Sequence, residues 1–113
     1  MFYMPQYHNL PDGRQVFLRF PDPERHGEAV SRLLPTVPAG AEGAAFLAQT
    51  NGDPRRLVLI AEIAGTVAGC GLLELEDQPQ MQVAVWEPCR DLALETLMKE
   101  ALSAVAAQKG IAL

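Results

Sequence analysis

Apolar and polar positions alternate along 15–20, with Val16, Leu18 and Phe20 on one side, and this period of two predicts a strand. Asp22-Pro23-Glu24 then supplies an N-cap acid, a proline at the first helical position and an acid in the first turn. Behind that signal Ala29, Val30, Leu33 and Leu34 recur at helical spacing until Pro35 stops the helix. Pro35, Pro38, Gly40 and Gly43 interrupt the next stretch, and a short helix is expected over 44–49, ended by Asn51-Gly52. The run RLVLIAEI at 56–63 is dense in Leu and β-branched residues and predicts a buried strand. Ala64-Gly65 is its turn, and 66–76 is the partner strand. After a turn at Asp77-Gln78-Pro79-Gln80, a further strand over 81–86 puts Met81, Val83 and Val85 on one face, with Gln82, Ala84 and Trp86 on the other.

The longest element is a helix expected over 88–109, buried along Leu94, Leu97, Met98, Ala101 and Val105. Gly110 is placed to end it, and 111–113 begins another strand. Residues 1–14, with Pro5, Pro11 and Gly13, read as an N-terminal arm closing on a Pro-Asp-Gly turn, which leaves 15–113 as a single domain. The order β-α-(α)-β-β-β-α-β predicts an α+β fold, a mixed sheet with flanking helices.

Composition narrows the function classes. The chain has 113 residues, 49% hydrophobic and 20% charged, so a packed core is attainable. Its formal charge of −5 argues against nucleic acid and against an anionic membrane surface as partners. The two cysteines, Cys70 and Cys89, and the two histidines, His8 and His26, have none of the usual zinc spacings, so no metal is expected. A disulfide scaffold is unsupported, although a single Cys70–Cys89 bridge stays open. With neither a basic-then-apolar leader nor an apolar run of spanning length, a cytoplasmic location is expected. Cys70 reads as a small core residue and His26, between Arg25 and Gly27, as a surface histidine. Trp86 reads as a core or interface anchor, with a ligand-stacking platform as the other reading. Cys89 beside Arg90 has one feature of an activated thiol, but neighbouring acids oppose thiolate formation and no histidine pairs with it.

The element order, with three stretches in particular, resembles the GNAT superfamily of acyl-CoA-dependent N-acyltransferases. VFLRFPDPERHGEAVSRLL looks like the family's first strand and acid-capped helix. LVLIAEIAGTVAGCGLLEL looks like its central hairpin, with Gly65 and Gly69 at the recurring glycines. MQVAVWEPCRDLALETLMKEALSAVAAQKGIAL looks like its fourth strand and cofactor helix. The resemblance implies a GNAT-like fold, abbreviated at its C-terminal end, and transfer of acetyl from acetyl-CoA to a primary amine on a small molecule or protein. It also implies a pyrophosphate cradle with the pattern Gln/Arg-x-x-Gly-x-Gly/Ala, in which free amides at a helix N-terminus donate to the anion. That pattern falls on Arg90, Asp91, Leu92, Ala93, Leu94 and Glu95, with Arg90 matching, Ala93 in place of a glycine and Glu95 in place of a small residue. The motif is therefore degenerate. Backbone groups of Val83 and Val85 are implied to hold the pantetheine arm.

Glu87, Asp91 and Glu95, four apart, would line one face of a helix and either complement its dipole or mark an altered anion site. The usual tyrosine acid has no counterpart, because Tyr3 and Tyr7 lie in the arm, and the strand at 81–86 carries no acid. Glu76 is the best candidate for general base, and a solvated strand-end carboxylate is its plainer reading. The alternative function is a non-catalytic module of the same fold. It would dimerise, or dock a partner chain, through an open sheet edge at 81–86 or 111–113.

Overall fold

A computed structural model describes residues 6–37, 40–52, 55–75, 78–88 and 93–108. Its strands are β1 (Gln6–Asn9), β2 (Gln15–Arg19), β3 (Arg56–Ile63), β4 (Thr66–Glu74) and β5 (Gln80–Val85). Its helices are α1 (Pro23–Leu33), α2 (Gly40–Gly52) and α3 (Leu94–Gln108). The strands form one sheet in the order β1-β2-β3-β4-β5, and every described pairing is antiparallel. The parallel pairing of a mixed sheet would have to come from the strand expected at 111–113, which lies outside the described residues.

Period-two alternation distributes the side chains of the strands between two cores. Val16, Leu18, Leu59 and Leu73 pack with Leu94, Met98 and Leu102 of α3 on one face. Val58, Ile60, Cys70 and Leu72 pack with Val30 and Leu34 and with Leu47 of α2 on the other. β3 and β4 are covered on both faces, which is why they read as near-continuous apolar runs. Two glycines of β4 set the closeness of α3. A Cβ on Gly71 would lie 2.7 Å from Leu102 Cδ1, and one on Gly69 would lie 3.0 Å from Met98 Sδ. The β3–β4 turn takes positive φ at both central residues, Ala64 (52°) and Gly65 (81°), the two-residue geometry that matches strand twist.

Several sequence expectations are corrected. Residues 6–9 of the expected arm form β1, in register with β2 from Gln6↔Leu18 to Asn9↔Gln15. Phe20 does not share the buried face of Val16 and Leu18. It lies beyond the end of β2 and is 41% exposed. α2 starts at Gly40 rather than at 44. α3 starts at Leu94 rather than at 88, because Ala93 takes a φ of 58°, outside helical geometry, and residues 89–92 lie outside the described residues. Glu87 therefore does not share a helix face with Glu95. Asp22 does cap α1, its side chain accepting from the N–H groups of Glu24 and Arg25.

Candidate functional site

β5 ends the described sheet, and the chain passes from it towards α3 through residues 86–93. The Trp86 N–H donates to the Ala68 carbonyl across the β4–β5 ladder at 2.8 Å. Antiparallel geometry alternates hydrogen-bonded and free residues, so the amides of Gln82 and Ala84 also turn towards β4. Those of Val83 and Val85, opposite Gly71 and Gly69, then face the outer edge. Their side chains pack against the α3 core.

At the start of α3, the Ala93 carbonyl accepts the first helical bond, from the Leu97 N–H at 3.2 Å. The N–H groups from Ala93 to Thr96 are therefore the ones without intrahelical acceptors. This moves the expected amide cradle about two residues towards the C-terminus. The Leu94 side chain is fully buried, so that residue offers only backbone. Ala93 holds the left-handed conformation that glycine would supply without strain. Glu95 is exposed and its carboxylate is 2.9 Å from Lys99 Nζ, so its charge is partnered on the helix surface. Arg90, Asp91, Leu92, Cys89 and Glu76 lie outside the described residues. Glu74 faces Gln80, at the opposite end of β5 from the start of α3.

Two features on the α1 side adjoin β5. Trp86, 47% exposed, closes a cleft of about 290 Å³ with Ala29, Arg32 and Leu33 of α1 and Thr66 and Val67 of β4. The indole is thus a cleft wall rather than a core anchor. Gln82 reaches the α1–α2 loop, its Oε1 accepting from Thr36 Oγ1 at 3.4 Å.

His26 departs furthest from expectation. It is 3% exposed, not a surface histidine. Its Nδ1 accepts from the Asp22 N–H at 2.8 Å, which leaves the ring proton on Nε2. Nε2 has no hydrogen-bond partner and faces Glu62 Oε2 across 3.8 Å. Glu62 is also buried, and its Oε1 lies 3.4 Å from Arg19 Nη1. Burial holds the His26 pKa below its ordinary value, with Arg19 and Arg25 assisting and Glu62 and Asp22 opposing. Glu62 was detectable in sequence as the lone acid inside the apolar run at 56–63. Cys70 lies in the α1-side core, and burial pushes its thiol up to about 12. Among the described residues, no group of three or more His, Cys, Asp or Glu side chains is placed to hold a metal ion. None of their helices is long and apolar enough to cross a membrane.

No protein-family model matches the chain, and no curated protein matches its sequence. Solved structures of acyltransferases match its fold. It is similar to the acetyltransferase of the GNAT family from Streptococcus pneumoniae, with a TM-score of 0.69 at 16% identity, over 86% of this chain and 70% of that one. It is similar to the GNAT domain of S. lividans PAT, with a TM-score of 0.70 at 16% identity, over 95% of this chain and 74% of that one. A cAMP-binding acyltransferase from Mycobacterium smegmatis matches at a TM-score of 0.66 and 14% identity, over 95% of this chain but 36% of its own. The architecture is therefore of the acyltransferase kind. In particular, this chain has a GNAT-like acetyltransferase fold.

Proposed function

We propose that this protein is an N-acetyltransferase that moves acetyl from acetyl-CoA to a primary amine of a small molecule or protein. The observation carrying this reading is the convergence of an outward-facing strand edge, Val83 and Val85, with the amide-rich start of α3. Amide-like pantetheine matches the edge, and a diphosphate matches helix-terminal N–H groups and the helix dipole. Arg90, Asp91, Leu92, Ala93 and Leu94 lead into the diphosphate segment, with Arg90 as its cation, and the unpaired amides from Ala93 to Thr96 are its donors. Glu95 does not bar an anion there, because Lys99 neutralises it on the helix surface.

The cosubstrate supplies an activated thioester, so the protein's share of the chemistry is placement and proton removal. Val83 and Val85 align the acyl carrier along β5. Gln82 and Trp86, on the opposite face of that strand from the α3 core, border the space from which an amine would approach. Glu76 is the proton acceptor for that amine. Titration calorimetry with acetyl-CoA tests the reading, with saturable heat expected for the wild type and a loss of about tenfold or more in affinity for Arg90→Glu. Absence of heat at several hundred micromolar acetyl-CoA would overturn it.

The same edge, unpaired among the described residues, also supports the second reading, a module that pairs β5 with another chain, because unpaired strand edges are templates for pairing. Sedimentation at tens of micromolar separates the two. A dimer that dissociates when Val83→Pro removes an outward N–H favours pairing, and a monomer that binds acetyl-CoA favours transfer.

A further inference from the structure

A second cleft, of about 330 Å³, lies over β1, β2 and the end of β3. Its size is at the lower end of small-molecule sites, roughly 300–1,000 Å³. Its floor is a row across three strands, with Tyr7 opposite Phe17 and Phe17 opposite Glu62. The Tyr7 and Phe17 rings stack at 4.7 Å with 16° between their planes, and Tyr7 remains 62% exposed. Arg19 and Arg25 supply the cations of its lining, and Gln15, Ala64 and Gly65 complete it. β4 separates this cleft's deepest strand, β3, from β5.

Its charges are incompletely matched. Glu62 is 5% exposed, and its nearest donors are Arg19 Nη1 at 3.4 Å and His26 Nε2 at 3.8 Å. The first is at the outer limit of a hydrogen bond and the second is beyond it. A buried carboxylate so weakly held is costly, and a ligand ammonium would relieve it. On the rim, the exposed Arg25 guanidinium has no ion pair among the described residues. A simple cation would gain Glu62 but meet two arginines. A simple anion would gain the arginines but meet Glu62. A molecule with both charges a few bonds apart satisfies both.

We propose that this cleft binds a free aromatic α-amino acid. The ammonium pairs with Glu62, the carboxylate pairs with Arg25, and the side chain lies against the stacked rings of exposed Tyr7 and half-buried Phe17. The site is independent of the β5–α3 corner and does not require acyl transfer.

The test is titration of the full chain with L-phenylalanine, read by calorimetry and by amide chemical shifts. Two analogues, phenethylamine and 3-phenylpropanoate, each lack one charge. Saturable binding of L-phenylalanine is expected, with shifts centred on Tyr7, Phe17 and Gly65 and each analogue weaker by about tenfold or more. Arg25→Ala changes an exposed side chain outside both cores, so its unfolding midpoint should stay at the wild-type value while affinity falls by about tenfold. Glu62→Gln should lose affinity similarly, and Arg25→Ala keeps the test decisive where that buried change disturbs folding. The proposal is overturned by no binding up to about 10 mM, by phenethylamine or 3-phenylpropanoate binding as well as the amino acid, or by unchanged affinity in Arg25→Ala.

Discussion

Acid should loosen α1 through His26. The folded chain uses the Nδ1 lone pair to accept the Asp22 N–H at 2.8 Å, at the cap of the helix. A second proton would convert that acceptor into a donor, set two N–H groups against each other, and place a cation at a site 3% exposed. Burial accordingly lowers the His26 pKa from 6.5, outweighing the attraction of Glu62. The unfolded chain therefore takes up its proton near 6.5 and the folded chain only at lower pH. The stability that rests on neutral His26 is complete above 6.5, drains as pH falls through the folded value, and is constant below it. Its size is about 1.4 kcal/mol for each pH unit between the two midpoints, against a total of roughly 5–15 kcal/mol for a domain.

Replacing the ring with one of similar bulk that neither titrates nor accepts isolates this contribution. His26→Phe leaves the Asp22 N–H without its partner, which should cost about 1–3 kcal/mol at neutral pH. Urea unfolding of both proteins, followed by far-UV circular dichroism from about pH 8 to about pH 5, measures both effects. The wild type should lose stability more steeply than His26→Phe below the histidine midpoint, so that the two curves converge in acid. Carboxylate titration is common to both and cancels in the difference. Parallel curves over that range would refute the reasoning, since they would show that the His26 proton is not linked to folding.

Three further outcomes follow from the packing and the backbone. Ala93→Gly removes a left-handed alanine at the entry to α3 and should stabilise the fold by up to about 1 kcal/mol in urea unfolding, without reducing heat from acetyl-CoA. Gly71→Ala brings a methyl to 2.7 Å from the fully buried Leu102 and should cost roughly 1–3 kcal/mol, read as a lower unfolding midpoint. With its pKa pushed up to about 12 by burial, Cys70 should resist iodoacetamide at mildly alkaline pH in the native protein and react once urea unfolds it, as peptide mass spectrometry would show.

The fold was legible wherever apolar periodicity was strong. RLVLIAEI and TVAGCGLLE, joined by Ala64-Gly65, announced the central hairpin because both faces of β3 and β4 are covered. β1 was not legible, because QYHN is a polar edge strand whose half-buried faces impose no apolar pattern. The start of α3 was misplaced for a different reason. Glu87-Pro88 looks like an acid and proline at a helix start, and only the left-handed backbone at Ala93 shows that α3 begins at Leu94.

The polar residues missed in sequence share one mark: each occupies a position where periodicity calls for an apolar side chain. His26, Val30 and Leu34 recur four apart along the buried face of α1, and Glu62 continues the inward positions of Val58 and Ile60 on β3. The packing stripes would have been satisfied by leucine at either place. Instead the fold brings an imidazole and a carboxylate to within 3.8 Å, with the carboxylate's residue opposite Phe17 in the sheet. Fold information therefore resides in the positions that obey the period, and site information in the few that break it. In a short chain without motif-grade spacing, a polar residue on an otherwise apolar stripe is thus the place to look for chemistry, even where its neighbours in sequence suggest a solvated surface.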